Sequence, residues 1–225
     1  MPPSGGQQRI PRPPSHRPGR PAPWAHVEPT HRHHTLDDIR ARLAVLPPGA
    51  APVPAVPGSV AAAVLVPLVD VDGDVSVILT KRPETMPSHK GEIAFPGGKH
   101  DPSVDPDLRA TALREAHEEI GLDPDAVEIV ARLEGISTVA SRFVITPFVG
   151  FVHGRPALVP DPREVTRVLE VPLSELMGDG VYREERWNGP RFDFDVHFYE
   201  LTDETVWGAT ARILTGLLTH LVSSR

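Results

Sequence analysis

Cysteine is absent from the 225 residues. That absence excludes a disulfide scaffold, a thiolate zinc site, an iron–sulfur cluster and a cysteine nucleophile, and it suits a reducing compartment. A basic excess is missing too. The chain has 23 Lys and Arg against 30 Asp and Glu, a formal charge of −7, which argues against nucleic acid as a partner. No apolar stretch is long enough for a bilayer. The longest, Val60 to Val69, has ten residues with Pro67 inside it, whereas a span needs about 20. It reads as a buried strand, so no membrane is expected. The N-terminus lacks the apolar core of a secretory signal, and the chain is expected to be cytoplasmic. Neither the G-x-S-x-G elbow of serine hydrolases nor the G-x4-G-K-[ST] phosphate loop occurs.

Proline is what the chain has in plenty, 27 residues, with fourteen of them before residue 59. Residues 1–34 hold nine Pro, five Arg, five His and one acid, Glu28. Such a stretch cannot bury enough apolar surface to offset chain entropy, and a disordered Pro/Arg-rich tail is expected there. Over 35–58 the sequence predicts a short helix capped by Thr35 with Asp38 three residues on, then a Pro-rich linker. The globular domain is expected from 59 to 225. Strands at 60–70 and 75–82 flank Asp72-Gly73, a hairpin signal. A short strand precedes Pro96-Gly97-Gly98, and a helix over 107–120 ends at Gly121. Further strands near 126–134, 143–152, 165–171, 181–187 and 192–200, a short helix after Pro172 and a last helix at 207–221 complete the pattern. Strands outnumber helices without regular alternation, which indicates an α+β fold with a mixed sheet.

The helix at 107–120 breaks two local rules. Leu108, Ala112, Ala116 and Ile120 form an apolar row able to pack on a sheet. Glu115, Glu118 and Glu119 project together from another face, in the turns just before Gly121. Negative charge is disfavoured there by the macrodipole, and like charges at helical spacing repel. Violations of this kind concentrate at functional sites. A divalent cation would relieve both penalties, and all-oxygen ligands favour Mg²⁺ or Mn²⁺ over Zn²⁺. Gly97 and Gly98 let backbone approach a metal or phosphate closely.

These residues resemble a known family. Arg114-Glu115-Ala116-His117-Glu118-Glu119-Ile120-Gly121-Leu122 is similar to the R-E-U-x-E-E-x-G-U half of the Nudix box, where U is apolar. The other half departs from it. Pro106 stands where the box has Glu, flanked by Asp105 and Asp107, and the Gly-to-Arg spacing is longer. The coenzyme A pyrophosphatase branch shares that departure, with F-P-G-G-x-x-D before A-L-R-E-A-x-E-E, and Phe95 to Asp101 and Ala112 to Glu119 resemble it. Its upstream signature is matched at Ile78 to Arg82, Gly91 and Phe95, while Pro83 and Pro87 replace a Ser and an Arg.

The resemblance implies a Nudix-type α/β/α sandwich and Mg²⁺- or Mn²⁺-dependent hydrolysis of a pyrophosphate linkage. The substrate implied first is coenzyme A or acyl-CoA; ADP-ribose or a dinucleotide is an alternative, and so is a non-catalytic nucleotide-binding module. It assigns Glu115, Glu118, Glu119 and the Gly97 carbonyl to the metal, and Arg114, Glu118 and Glu119 to catalysis. Lys81, Arg82 and His89 are expected at substrate phosphates, with Lys90 a further cation beside them. Asp203 and Glu204 compete with Glu118 for the role of base. Trp187, Phe192, Phe194 and Tyr199 suit strand core or stacking on a base. The partner expected is a small nucleotide, and a homodimer is left open. Acidity concentrates where this site would lie, since 92–135 hold eleven acids against Lys99, Arg109, Arg114 and Arg132.

Overall fold

Side-chain alternation along two long strands decides which residues reach the carboxylate helix. The computed structural model describes residues 5, 6, 8, 10–46, 58–86, 88–138, 142–189 and 193–223. In chain order these form β1 (Arg17–Pro18), α1 (Leu36–Leu43), β2 (Val60–Val71), β3 (Asp74–Lys81), β4 (Ile93–Ala94), β5 (Gly97–Lys99), α2 (Leu108–Ile120), β6 (Val127–Arg132) and β7 (Ile136–Ser137). They continue with β8 (Phe143–Val152), β9 (Arg167–Pro172), α3 (Leu173–Leu176), β10 (Tyr182–Asn188), β11 (Asp193–Glu200), β12 (Thr205–Trp207) and α4 (Gly208–Val222). The expected hairpin joins β2 to β3, with Asp72 and Gly73 both at positive φ, the backbone a two-residue hairpin turn requires.

β2 is the axis of the larger sheet. It pairs antiparallel with β3 and β5 and parallel with β8. β3 also carries β4 and β9, and β8 carries β6 and β7, all antiparallel. The sheet is therefore mixed, as expected. Ala63, Leu65 and Val69 of β2 and Ile78 of β3 share a core with Ala112, Ala116 and Ile120 of α2. The alternate residues Val66, Leu68, Val77 and Leu79 share the other core with Ile213, Leu214 and Leu217 of α4. Helices thus cover both faces, and the fold is an α+β sandwich. The expected apolar row of α2 is what seats it: Ile120 is fully buried, a contribution of about 1.5–3 kcal/mol. Among the described residues no helix is long and apolar enough to cross a membrane.

A second, antiparallel sheet runs β1-β10-β11-β12. Here the structure differs, for the described residues 10–34, from the expectation of a disordered tail over 1–34. Trp24 is 1% exposed and lies within 5.2 Å of Tyr182 and 6.2 Å of Tyr199 between ring centroids. β1 extends β10, and Arg17 and Arg20 pair with Asp193, Glu184 and Asp195. The segment cannot build a core of its own, but one Trp can borrow the domain's, and its arginines meet an acidic sheet. Composition counts only the segment's own residues. Thr35 and Asp38 form the expected capping box. The linker at 47–57 lies outside the described residues.

Candidate active site

Both ends of α2 are fixed by local chemistry. Asp107 caps the first turn, accepting the Ala110 N–H at 2.8 Å. Gly121 closes the last at φ 68°, its N–H bonding back to the His117 carbonyl, the left-handed stop that favours glycine. Between them the apolar row lies on β2 and turns the acids toward the β5 edge. A β-carbon at Gly98 would run into the Glu115 carboxylate; the lack of one lets the carboxylate lie against the strand.

One guanidinium organises the cluster. Arg114 donates from Nε and Nη2 to Asp105 (2.9 and 3.0 Å), from Nη2 to Glu115 (2.7 Å) and from Nη1 to Glu118 (2.8 Å). Asp105, 4% exposed, is held at about pKa 2 by Arg114, against the cost of its burial. Glu115 is pushed upward, by burial first, and Arg114 only partly opposes this.

Glu119 differs from its neighbours. It is 4% exposed, and its pKa is raised to about 8 by burial, with Glu115 and Glu164 adding repulsion. Arg82 and the Gly97 backbone favour its charged form without prevailing. A carboxyl kept this dry beside two others holds its proton unless a positive charge is brought to it. Among the described residues no three Asp, Glu or His side chains converge into a ready ion cage.

The structure sorts the expected substrate cations. Lys81 follows Val77 and Leu79 on the face of β3 away from α2, where its Nζ meets the buried Glu204 at 2.7 Å. It is not brought to the carboxylates. Arg82, one residue on, acts on Glu119, and its buried Nε has no hydrogen-bond partner among the described residues. His89 bonds Glu92 at 2.8 Å, which raises its pKa despite partial burial, and Arg82 acts on it electrostatically. Glu204 is engaged by Lys81, Arg167 and Gln8, and Asp203 is exposed. Tyr199 is core, bonded to Thr215 at 2.9 Å, and Trp187 and Phe194 contact each other on the second sheet. Phe192 and Pro87 lie outside the described residues. A cleft of about 420 Å³ opens beside the acids, with Lys99, His100 and Val104 on one wall and Arg114, Glu115 and Glu118 on the other.

Glu164 is a neighbour that sequence reasoning missed. Its loop is latched to the end of α2, Val159 N–H to Ile120 O at 2.8 Å and Asp161 N–H to Glu119 O at 2.9 Å, and its charge acts on Glu115 and Glu119. No local motif marks it; only the backbone latch brings it there.

Comparison with known proteins points the same way. A model of the NUDIX domain matches residues 59–191. Nudix hydrolase 22, chloroplastic, of Arabidopsis thaliana is 43% identical over 149 residues, covering 64% of this chain and 49% of that protein. The peroxisomal coenzyme A diphosphatase NUDT7 of Mus musculus is 39% identical over 140 residues, 62% of this chain and 58% of that protein. The chain thus spans about half the length of the Arabidopsis relative it matches. Among solved structures, a MutT/nudix family protein from Enterococcus faecalis shares the fold, with a TM-score of 0.50 at 16% identity over 81% of this chain and 68% of that one.

Proposed function

The chain belongs to the NUDIX family of hydrolases, and from that premise we propose that it hydrolyses the pyrophosphate linkage of a nucleoside diphosphate derivative, coenzyme A or acyl-CoA first, giving 3′,5′-ADP and (acyl-)phosphopantetheine. The observation that carries the reading is Glu119, buried, raised to about pKa 8 and flanked by Glu115 and Glu164. Similarity to a coenzyme A diphosphatase supports the substrate. Members of the family use divalent metal ions, and here Glu115, Glu118 and Glu119 with the Gly97 backbone would hold Mg²⁺ or Mn²⁺. Such an ion, when bound, neutralises diphosphate oxygens and acidifies water.

The chain's own groups do the rest. Arg82, whose charge acts on Glu119, holds a phosphate oxygen through its guanidinium. His89, bonded to Glu92, adds a cation at the mouth. Arg114 fixes the rotamers of Glu115 and Glu118. Glu118 accepts from Arg114, but its side chain is 57% exposed and within reach of the attacking water, so it is the candidate base, whereas Glu204 is buried beside Lys81. Lys81 is left out of the substrate set for the same reason.

The test is incubation of the full chain with coenzyme A, ADP-ribose, NADH and diadenosine polyphosphates in Mg²⁺ or Mn²⁺, with product masses read out. Release of 3′,5′-ADP and phosphopantetheine is expected. Turnover of ADP-ribose or a dinucleotide alone would move the substrate to that class, and inertness toward every diphosphate would leave a nucleotide-binding module.

A further inference from the structure

Two aspartates flank Pro106, at the place where the Nudix box has its first glutamate, and the structure gives them different work. Asp107 is the N-cap of α2. Asp105 sits at the end of a self-supporting turn: the Ser103 N–H and hydroxyl bond the Asp101 carboxylate at 2.9 and 2.6 Å, and the Val104 and Asp105 N–H groups bond the Asp101 carbonyl. Its buried carboxylate accepts the Nε–Nη2 edge of Arg114 and the Thr111 hydroxyl at 2.8 Å, and the Thr111 oxygen in turn meets His100 Nδ1 at 2.8 Å.

We propose that Asp105, brought in by the longer Gly-to-Arg connection, is the positioning residue for the cation-binding acids. The inference rests on the metal-dependent reading above. Arg114 spreads one positive charge over three carboxylates. Asp105 takes the bidentate share, the stronger geometry, and anchors the guanidinium in the loop. Glu115 and Glu118 then share single remaining N–H donors and stay available to an incoming cation. Without the Asp105 charge the guanidinium is free to close on Glu115 and Glu118, and the site loses one negative charge. Both changes weaken cation binding, and partners of this outer kind commonly set about 10–100-fold in metal affinity.

The experiment compares Asp105→Asn with Asp107→Ala in the full chain. Mn²⁺ affinity is read by electron paramagnetic resonance, stability by thermal unfolding in EDTA, and the Mg²⁺ half-saturation of hydrolysis at saturating substrate. Asp105→Asn is expected to weaken Mn²⁺ binding by about 10–100-fold, with Asp105→Glu recovering part of it. Asp107→Ala is expected to lower Tm by about 2–4 °C with Mn²⁺ affinity unchanged. Thr111→Val, which keeps the carboxylate but removes a donor to it, is expected to shift Mn²⁺ affinity a fewfold the same way, and it carries the test if Asp105→Asn does not fold. Wild-type Mn²⁺ affinity in Asp105→Asn or, failing that, in Thr111→Val would overturn the role of Asp105 alone. A wild-type protein that binds no Mn²⁺ would overturn the cation site, and this proposal with it.

Discussion

Glu119 on α2 and Glu184 on β10 are both buried glutamates, 4% and 7% exposed, yet their acidities move in opposite directions. Burial pushes both upward. At Glu184 the Arg20 backbone N–H and guanidinium outweigh burial, and the net shift is downward. The rest of that acidic sheet is treated alike: Arg12 and Arg183 pair with Glu185, Arg17 with Asp193, and Arg186 with Asp195. At Glu119 the charge of Arg82 does not overcome burial and repulsion. An acidic region neutralised by the chain's own arginines is structure. One left short of positive charge is where an external cation has work to do.

The comparison breaks first at Glu119. Glu119→Gln is expected to reduce Mg²⁺-dependent turnover by about 10³-fold with the circular dichroism spectrum and fold unchanged; unaltered turnover would remove Glu119 from the site. Next in size is Trp24→Ala, which detaches the anchor of the segment that brings Arg12, Arg17 and Arg20 to the second sheet. A loss of about 3–5 kcal/mol in urea unfolding is expected for this fully buried ring, and a loss below about 1 kcal/mol would mean that the segment is not part of the core. Smaller still is Arg20→Gln. Its side chain is 73% exposed, so screening limits the cost to about 1–2 kcal/mol, and the kcat for any diphosphate substrate should stay at the wild-type value. A drop in kcat would couple the two acidic regions, contrary to their separation here.

The carboxylate helix was legible because its signals are local. Leu108, Ala112, Ala116 and Ile120 set its buried side, Gly121 ends it, and the misplaced acids mark the site, all within one stretch of chain. The longer strands and the mixed sheet followed from apolar runs and turn residues in the same way, while the two- and three-residue strands β1, β5, β7 and β12 did not. What was not legible depends on register or on distant partners. That Lys81 turns away from α2 and Arg82 toward it is set by the pleat of β3 and the pairing of Lys81 with Glu204. Glu164 arrives through two backbone hydrogen bonds that no side-chain pattern encodes. Asp105 and Asp107 are equivalent in composition, and only the turn at Asp101 shows which one reaches Arg114. Trp24 stood among prolines and arginines, and its burial depends on Tyr182 and Tyr199 far along the chain.

The claim that Glu119 marks a site short of positive charge is tested most directly by the stability of the cation-free protein against pH. An acid raised from about 4.5 to about 8 keeps its proton in the folded state longer than in the unfolded one. Its contribution is therefore fully present below about pH 4.5 and is lost as pH rises through about 8. Thermal unfolding in EDTA is expected to show wild-type Tm falling between about pH 5 and 8, with Mg²⁺ or Mn²⁺ restoring it at pH 8. Glu119→Gln should show neither the fall nor the full restoration. A flat wild-type profile in EDTA, or equal restoration in Glu119→Gln, would contradict the claim.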